Sequence, residues 1–375
     1  MKFISLRWCS AILIFICIAG TAYAQGLPPL QRDARGLSDL TDEPRHKALQ
    51  SIDAFFRDRK PIPDRSANDL GWDCLAATAL LDQGNDGVSA NVQSIADQLA
   101  ANVILSKKDS KPIGWGASIQ DQRCPEGGYD AFGDGTCNSK DTTYAFQTGL
   151  GIACLAKASV ALNDPKLLGI AKNVLDHWQT YILSKALCDG CIYFAPSDNQ
   201  NDNGRYVRNM NVFMALGAAT LGQATHNKAF IKIASQAMQS EIAERNSGNR
   251  GYLGKLDPQW LIKASESDRI ENHSAAVAVL SLEIGRLLDS DEITSHGLAV
   301  WRDWATCDNE RCRKANCKYW AGNADQCQAT HTAAHCAFRF GSPLASTQCQ
   351  RYLKETKRVP SFGIWAVLLG GDHRR

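Results

Sequence analysis

The stretch Arg205-Tyr206-Val207-Arg208-Asn209-Met210-Asn211 sets two guanidiniums, a phenol and two amides at the start of an otherwise apolar helical segment. Buried polar groups need partners, so several on one turn of an apolar helix call for a reason. The functional reading is a cavity wall in which Arg208, Asn209 and Asn211 bind carboxylates or sugar hydroxyls. The alternative is helix capping with a structural salt bridge. Glu271-Asn272-His273 opens another apolar segment. An imidazole there could act as a general base near neutral pH. The alternative is a capping Asn272 beside a hydrogen-bonded His273. Tyr144 and Gln147, three residues apart, share a helix face. Asp141 precedes them, and Trp72 and Asp73 are the matching pair in an earlier segment. Asp73 and Asp141 could supply acid and base to a hydrolysis, with core packing or capping as the alternative for each residue of this group. Trp115, in Gly114-Trp115-Gly116, could stack on a sugar face or pin its own loop, and the same holds for Tyr252 and Trp260.

Metal and cofactor signals are weak. His331 and His335 have the spacing of two zinc ligands on a helix, but the glutamate of a zincin motif is missing. The run Asp198-Asn199-Gln200-Asn201-Asp202-Asn203-Gly204 has half of a calcium loop without its closing glutamate. Cys188-Asp189-Gly190-Cys191 has redox spacing outside a thioredoxin-like context. Gly-x-Ser-x-Gly, phosphate-loop and dinucleotide fingerprints do not occur. The expectation is therefore no cofactor and no bound metal.

These residues need elements to hold them. Trp72, Tyr144, Tyr206 and His273 recur at spacings of 72, 62 and 67 residues, each at the opening of an apolar helical stretch. An amphipathic helix follows each one. A repeated helical pair is the pattern of a solenoid or an α/α toroid. The first members, at 70–81, 145–161, 207–221 and 274–288, are apolar on most sides and should be inner. Their partners, at 91–105, 165–184, 227–245 and 291–305, carry polar faces and should be outer. Connections within a pair are short and those between pairs are long, so the long loops gather at the rim where inner helices begin. Long loops on one rim tend to carry function. Helix N-termini direct positive dipole ends to that rim, which favours an anionic ligand. Almost no strand pattern appears; residues 191–194 are the one candidate. A further helix is expected from about 41 to 59.

Residues 1–24 read as a secretory signal, with Lys2 and Arg7, an apolar run, and Ala22-Tyr23-Ala24 as the cleavage site. No later run reads as a membrane helix. The chain has 41 basic and 39 acidic residues, a balance that argues against general nucleic-acid or membrane-surface binding. Of 14 cysteines, Cys9 and Cys17 fall within the signal. The remaining even set suits an oxidising compartment. Six of them, from Cys307 to Cys349, should staple the C-terminal segment through disulfides.

The arrangement resembles α/α-toroid polysaccharide lyases of the alginate-lyase type, most clearly over residues 205–283. That family opens one inner helix with an Asn-Asn-His group and the next with His-Asn-Tyr-Ser. Here the corresponding residues are Arg208-Asn209-Met210-Asn211 and Glu271-Asn272-His273-Ser274. The resemblance implies that Asn209 neutralises a uronate carboxylate. It places the family histidine on Met210 or Asn211 and the family tyrosine near His273. A lyase would then use Arg208 and Asn209 to hold the carboxylate, His273 to take the adjacent carbon proton, and Tyr206 or Tyr144 to protonate the leaving oxygen. The expected organisation is a signal at 1–24, an all-α toroid at 25–305 and a Cys-rich segment at 306–375. The expected function is an exported enzyme on an acidic polysaccharide, by β-elimination in the lyase reading. The alternative is a non-catalytic glycan-binding or scaffold protein. Asn211, Asn272, Gln147, Asp141, Asp73, Trp72 and Trp115 would line the substrate.

Overall fold

The computed structural model describes residues 67–82, 84–116, 124, 128–130, 137–183, 207–248 and 274–305. The signal segment, the helix expected at 41–59, the candidate strand at 191–194, Tyr206, Tyr252, Trp260, Glu271, Asn272 and His273 lie outside them. So do Cys188 and Cys191, the 198–204 run, His331, His335 and the Cys-rich segment.

Four helical hairpins account for most of the described chain. The inner helices are α1 (Ala67–Asp82), α3 (Ala145–Leu162), α5 (Arg208–Thr225) and α7 (Ser274–Leu288). Their outer partners are α2 (Ser89–Ala101), α4 (Pro165–Leu183), α6 (Lys228–Asn246) and α8 (Asp291–Ala305). The apolar stripes explain the layering: α3 and α5 are buried along most of their length, whereas α6 buries one face.

Each hairpin turns in the same way. Gly84, Asn163, His226 and Asp289 have left-handed φ values of 83°, 54°, 52° and 50°. The next residue then donates its N–H back to the inner helix, Asn85 to Leu80, Asp164 to Ser159, Asn227 to Gly222 and Ser290 to Gly285, at 2.8–3.2 Å. This closure satisfies carbonyls that a helix end leaves open. In three of the hairpins the donor residue also caps the outer helix. The side chains of Asp164, Asn227 and Ser290 accept from the N–H of Lys166, Ala229 and Ile293. One residue thus ends one helix and starts the next, which makes the turn short and the pair antiparallel.

Inner helices pack side by side in the order α1–α3–α5–α7 and run parallel. A disulfide joins Cys74 of α1 to Cys154 of α3. A Cβ on Gly149 of α3 would sit 2.3 Å from the Phe213 carbonyl oxygen of α5, so only glycine permits that approach. Gln223 of α5 donates to the Leu287 carbonyl of α7. These contacts pair early residues with early and late with late, so the N-termini of the inner helices share one rim.

The row also curves. Lys157 of α3 reaches Glu283 of α7 at 2.9 Å although α5 lies between them in the wall. In a flat row, axes two steps apart would stand about 16–20 Å from each other with the body of α5 filling the space between them, so a direct contact needs α3 and α7 to lean to one side of α5.

Several elements depart from expectation in their boundaries or character. Helix α5 continues to Thr225 rather than 221, because Gly222 packs against Ile231 of α6 and the turn forms only at His226. Helix α2 stops at Ala101, and Ile104–Leu105 (β1) pairs antiparallel with Pro112–Gly114 (β2). That two-stranded ribbon escaped the sequence reading, since its strands are two and three residues long. The α3 stretch Ala145–Leu162 is long and apolar enough to cross a membrane by length and composition, contrary to the sequence reading. It is a core helix here, packed between α1 and α5.

Candidate functional site

The first turn of α5 holds the densest polar cluster. Arg208, Asn209 and Asn211 are 6%, 2% and 0% exposed. Arg208 donates from Nε to Glu241 Oε2 at 3.0 Å and from Nη2 to Glu241 Oε1 at 2.5 Å. Glu241 belongs to outer helix α6, and His296 of α8 places Nε2 3.8 Å from its Oε1. Asn211 donates from Nδ2 to the Ala237 carbonyl, one turn earlier on α6, at 3.1 Å. The carboxylate beside Arg208 therefore comes from the chain itself. The salt-bridge alternative describes Arg208 and Asn211 better than a ligand contact does, because both tie the inner helix to its outer partner.

Asn209 lies four residues before Phe213 and so shares its helix face. Phe213 is the meeting point of three inner helices. Trp72 of α1 packs edge-on against it at 5.8 Å between ring centroids, and Phe146 of α3 does so at 4.3 Å. Trp72, Phe146, Phe213 and Asn209 thus lie together just inside the rim. Phe146 and Phe213 were not singled out in the sequence, where single aromatics on apolar helices look like any core residue.

Gln147 follows Phe146 on the first turn of α3. Its Oε1 is buried and accepts no hydrogen bond among the described residues. A buried amide oxygen of this kind calls for a ligand or water donor. Tyr144 caps the start of α3 in extended backbone, and its N–H donates to the Trp115 carbonyl at 3.0 Å. Its ring is 2% exposed and stands edge-on to Tyr129 at 5.9 Å. Tyr129 was also not singled out.

Trp115 holds its loop to the body. The ring is fully buried and Nε1 donates to the Leu99 carbonyl at 2.8 Å. Its backbone N–H donates to Thr148 Oγ1, and a Cβ on Gly151 would fall 2.5 Å from the ring. No face is left for a sugar, which corrects the stacking expectation in favour of pinning. Asp141 is exposed in the turn before α3, 3.8 Å from Lys107 Nζ. Asp73 is 1% exposed inside α1. One carboxyl is buried in the wall and the other is exposed on the surface, so the two sit in unlike environments.

A second charged group lies towards the opposite end of the inner helices. Glu283, buried on α7, accepts from Lys157 Nζ and from Arg286 Nε and Nη2 at 2.8–2.9 Å. Burial, the largest single influence, would push its carboxyl up; the two cations together outweigh that and hold it at about 2. Among the described residues no group of three or more His, Cys, Asp or Glu side chains could hold a metal ion.

No family model matches this chain, and no curated protein does. Solved structures share its architecture. A D-mannose isomerase superposes with a TM-score of 0.54 at 12% identity, over 84% of this chain and 84% of that one. A cellobiose 2-epimerase from Spirochaeta thermophila DSM 6192 gives 0.51 at 11% identity, over 83% and 86%. A sugar epimerase from a ruminal bacterium gives 0.50 at 9%, over 84% and 85%. The fold is an α/α toroid. At these identities the likeness concerns the fold alone, and the three are a sugar isomerase and two sugar epimerases rather than polysaccharide lyases.

Proposed function

We propose that this chain is a carbohydrate-active α/α-toroid enzyme whose saccharide enters at the rim formed by the N-termini of α1, α3, α5 and α7. The observation that carries this reading is that Trp72 and the partly buried Phe146, both near that rim, pack on Phe213, whose buried ring backs them one helical turn from Asn209. Aromatic rings beside a few polar groups suit a sugar, which offers an apolar ring face and a hydroxyl edge. The shared fold of a mannose isomerase and two sugar epimerases supports the same substrate class.

The chemistry we infer is proton transfer at a carbon next to a carbonyl carbon. Epimerising or isomerising a reducing sugar and β-eliminating from a uronate both start there. Each needs a base that works near neutral pH and a way to hold negative charge on the adjacent oxygen. His273, the residue before α7, is our base. Asn209, with the positive ends of the inner helices, is our charge stabiliser. Tyr144 and Tyr206 are the candidate acids, and Gln147 with Asn272 orients hydroxyls. Arg208 leaves this list because Glu241 already matches its charge. With it goes the main reason to demand an acidic sugar, so the lyase is the narrower form of the proposal. We propose export as well, cleaved after Ala24.

The scaffold reading keeps one specific support: Arg208 and Asn211 both bond to the outer helix α6. Turnover in deuterated water separates the readings. Purified protein is incubated with D-mannose, cellobiose or an oligouronate. Deuterium at the carbon next to the carbonyl, or an unsaturated product absorbing in the ultraviolet, supports the enzyme and should disappear in His273→Ala. No deuterium and no unsaturated product from any of the three would move the assignment to the scaffold.

A further inference from the structure

The loop ahead of α3 is fastened more heavily than a connection requires. Cys124 and Cys137 form a disulfide across 13 positions of sequence. Within that closed loop Tyr129 and Asn138 exchange both backbone hydrogen bonds, at 2.9 and 3.0 Å, as an antiparallel pair. Gly128, Asp130 and Asn138 are buried around it. Tyr129 stays partly exposed, with its ring edge-on to Tyr144 at the N-terminus of α3. Gly116 also bridges to Thr143, which ties the preceding strand to the same turn. A disulfide, a ladder pair and an aromatic contact therefore converge on one ring and hold it at the rim.

We infer that Tyr129, held by this disulfide and ladder pair, is the lip of the saccharide site, the ring on which a neutral pyranose stacks. The inference rests on the saccharide reading above and adds a residue to it. A tyrosine suits this role because its ring gives a flat apolar surface with little conformational freedom to lose, and its hydroxyl can stay in water. The staple matters because a stacking ring must be held in place before the ligand arrives; a free loop would lose part of the binding energy in ordering itself. The lip also explains why a partly exposed aromatic sits beside a buried one. Tyr144 anchors the loop to α3, and Tyr129 is what the anchored loop presents.

The test is calorimetric titration of the full chain with cellobiose and with D-mannose. Tyr129→Phe should bind as the wild type does, whereas Tyr129→Ala should weaken binding roughly tenfold with little change in Tm. Cys124→Ser/Cys137→Ser should weaken binding in the same direction while leaving Tyr129 in place. Should Tyr129→Ala fail to fold, Tyr129→Leu keeps bulk against Tyr144 without a flat ring, and it should show the same loss. Unchanged affinity in Tyr129→Ala or Tyr129→Leu, beside a wild type that binds, overturns the lip alone. A wild type that binds neither sugar overturns the saccharide site and the lip with it.

Discussion

Arg208 donates through Nε and Nη2 to the two carboxylate oxygens of Glu241, so the first turn of inner helix α5 is clamped to outer helix α6. Both side chains are buried, at 7% and 3% exposure. A buried pair of this kind contributes little over an apolar replacement, but removing one partner leaves the other charge unmatched. Arg208→Ala should therefore cost about 3–5 kcal/mol of stability. Replacing both residues, as Arg208→Met with Glu241→Leu, should recover most of it. Denaturant titration reads both variants. A stable Arg208→Ala protein would mean that the Glu241 charge is matched by other groups.

The clamp shows what the sequence could and could not convey. The four hairpins were legible because a buried helix and a half-buried helix differ in composition, and Asn163-Asp164, His226-Asn227 and Asp289-Ser290 mark the turns between them. The polarity of Arg208 and Asn211 was legible too, along with the need for partners. Which partner was not, because Glu241 lies 33 residues away on a helix that also carries Glu244. Phe213 was invisible as a meeting point for the same reason: its role depends on Trp72 and Phe146, which only the packing brings to it. Trp115 offered two readings, and the Leu99 carbonyl and Gly151 decide between them.

Trp115 should behave as a core residue. Trp115→Ala removes a fully buried ring and its hydrogen bond to Leu99, so a loss of about 3–5 kcal/mol is expected. Trp115→Phe keeps much of the packing against Gly151 and should cost less. Thermal unfolding monitored by circular dichroism measures both. An unchanged Tm in Trp115→Ala would restore a surface role for the ring.

The Cys74–Cys154 bridge joins two fully buried positions on neighbouring inner helices across 80 residues of sequence. Closing a loop of that length restricts the unfolded chain by about 4–5 kcal/mol in the chain-entropy account. Cys74→Ala/Cys154→Ala should lose stability on that scale. Cys124→Ser/Cys137→Ser, which opens a 13-residue separation, should lose less. Peptide mapping without reduction should recover the 74–154 and 124–137 pairs. Recovery of either cysteine as a free thiol would contradict the pairing.

Glu283 makes the acid response of the fold predictable. Its carboxyl falls from an ordinary 4.5 to about 2 in the folded chain, because Lys157 and Arg286 outweigh its burial. The folded state thus binds the proton less readily than the unfolded state does. The group's contribution to stability is complete above about 4.5 and declines as pH falls from there through about 2. On that shift it is worth about 3 kcal/mol at neutral pH. Glu283→Gln should lower stability at pH 7, where the carboxylate is charged, and should flatten the stability curve below pH 4.5. The damage should reach beyond α7. Lys157 comes from α3, so the lost bond is one that joins α3 directly to α7. Denaturant titrations of wild type and variant across the acid range provide the measurement. Parallel curves for the two proteins, offset but with the same slope between pH 4.5 and 2, would show that Glu283 titrates normally and that the bond to Lys157 does not govern the acid limb.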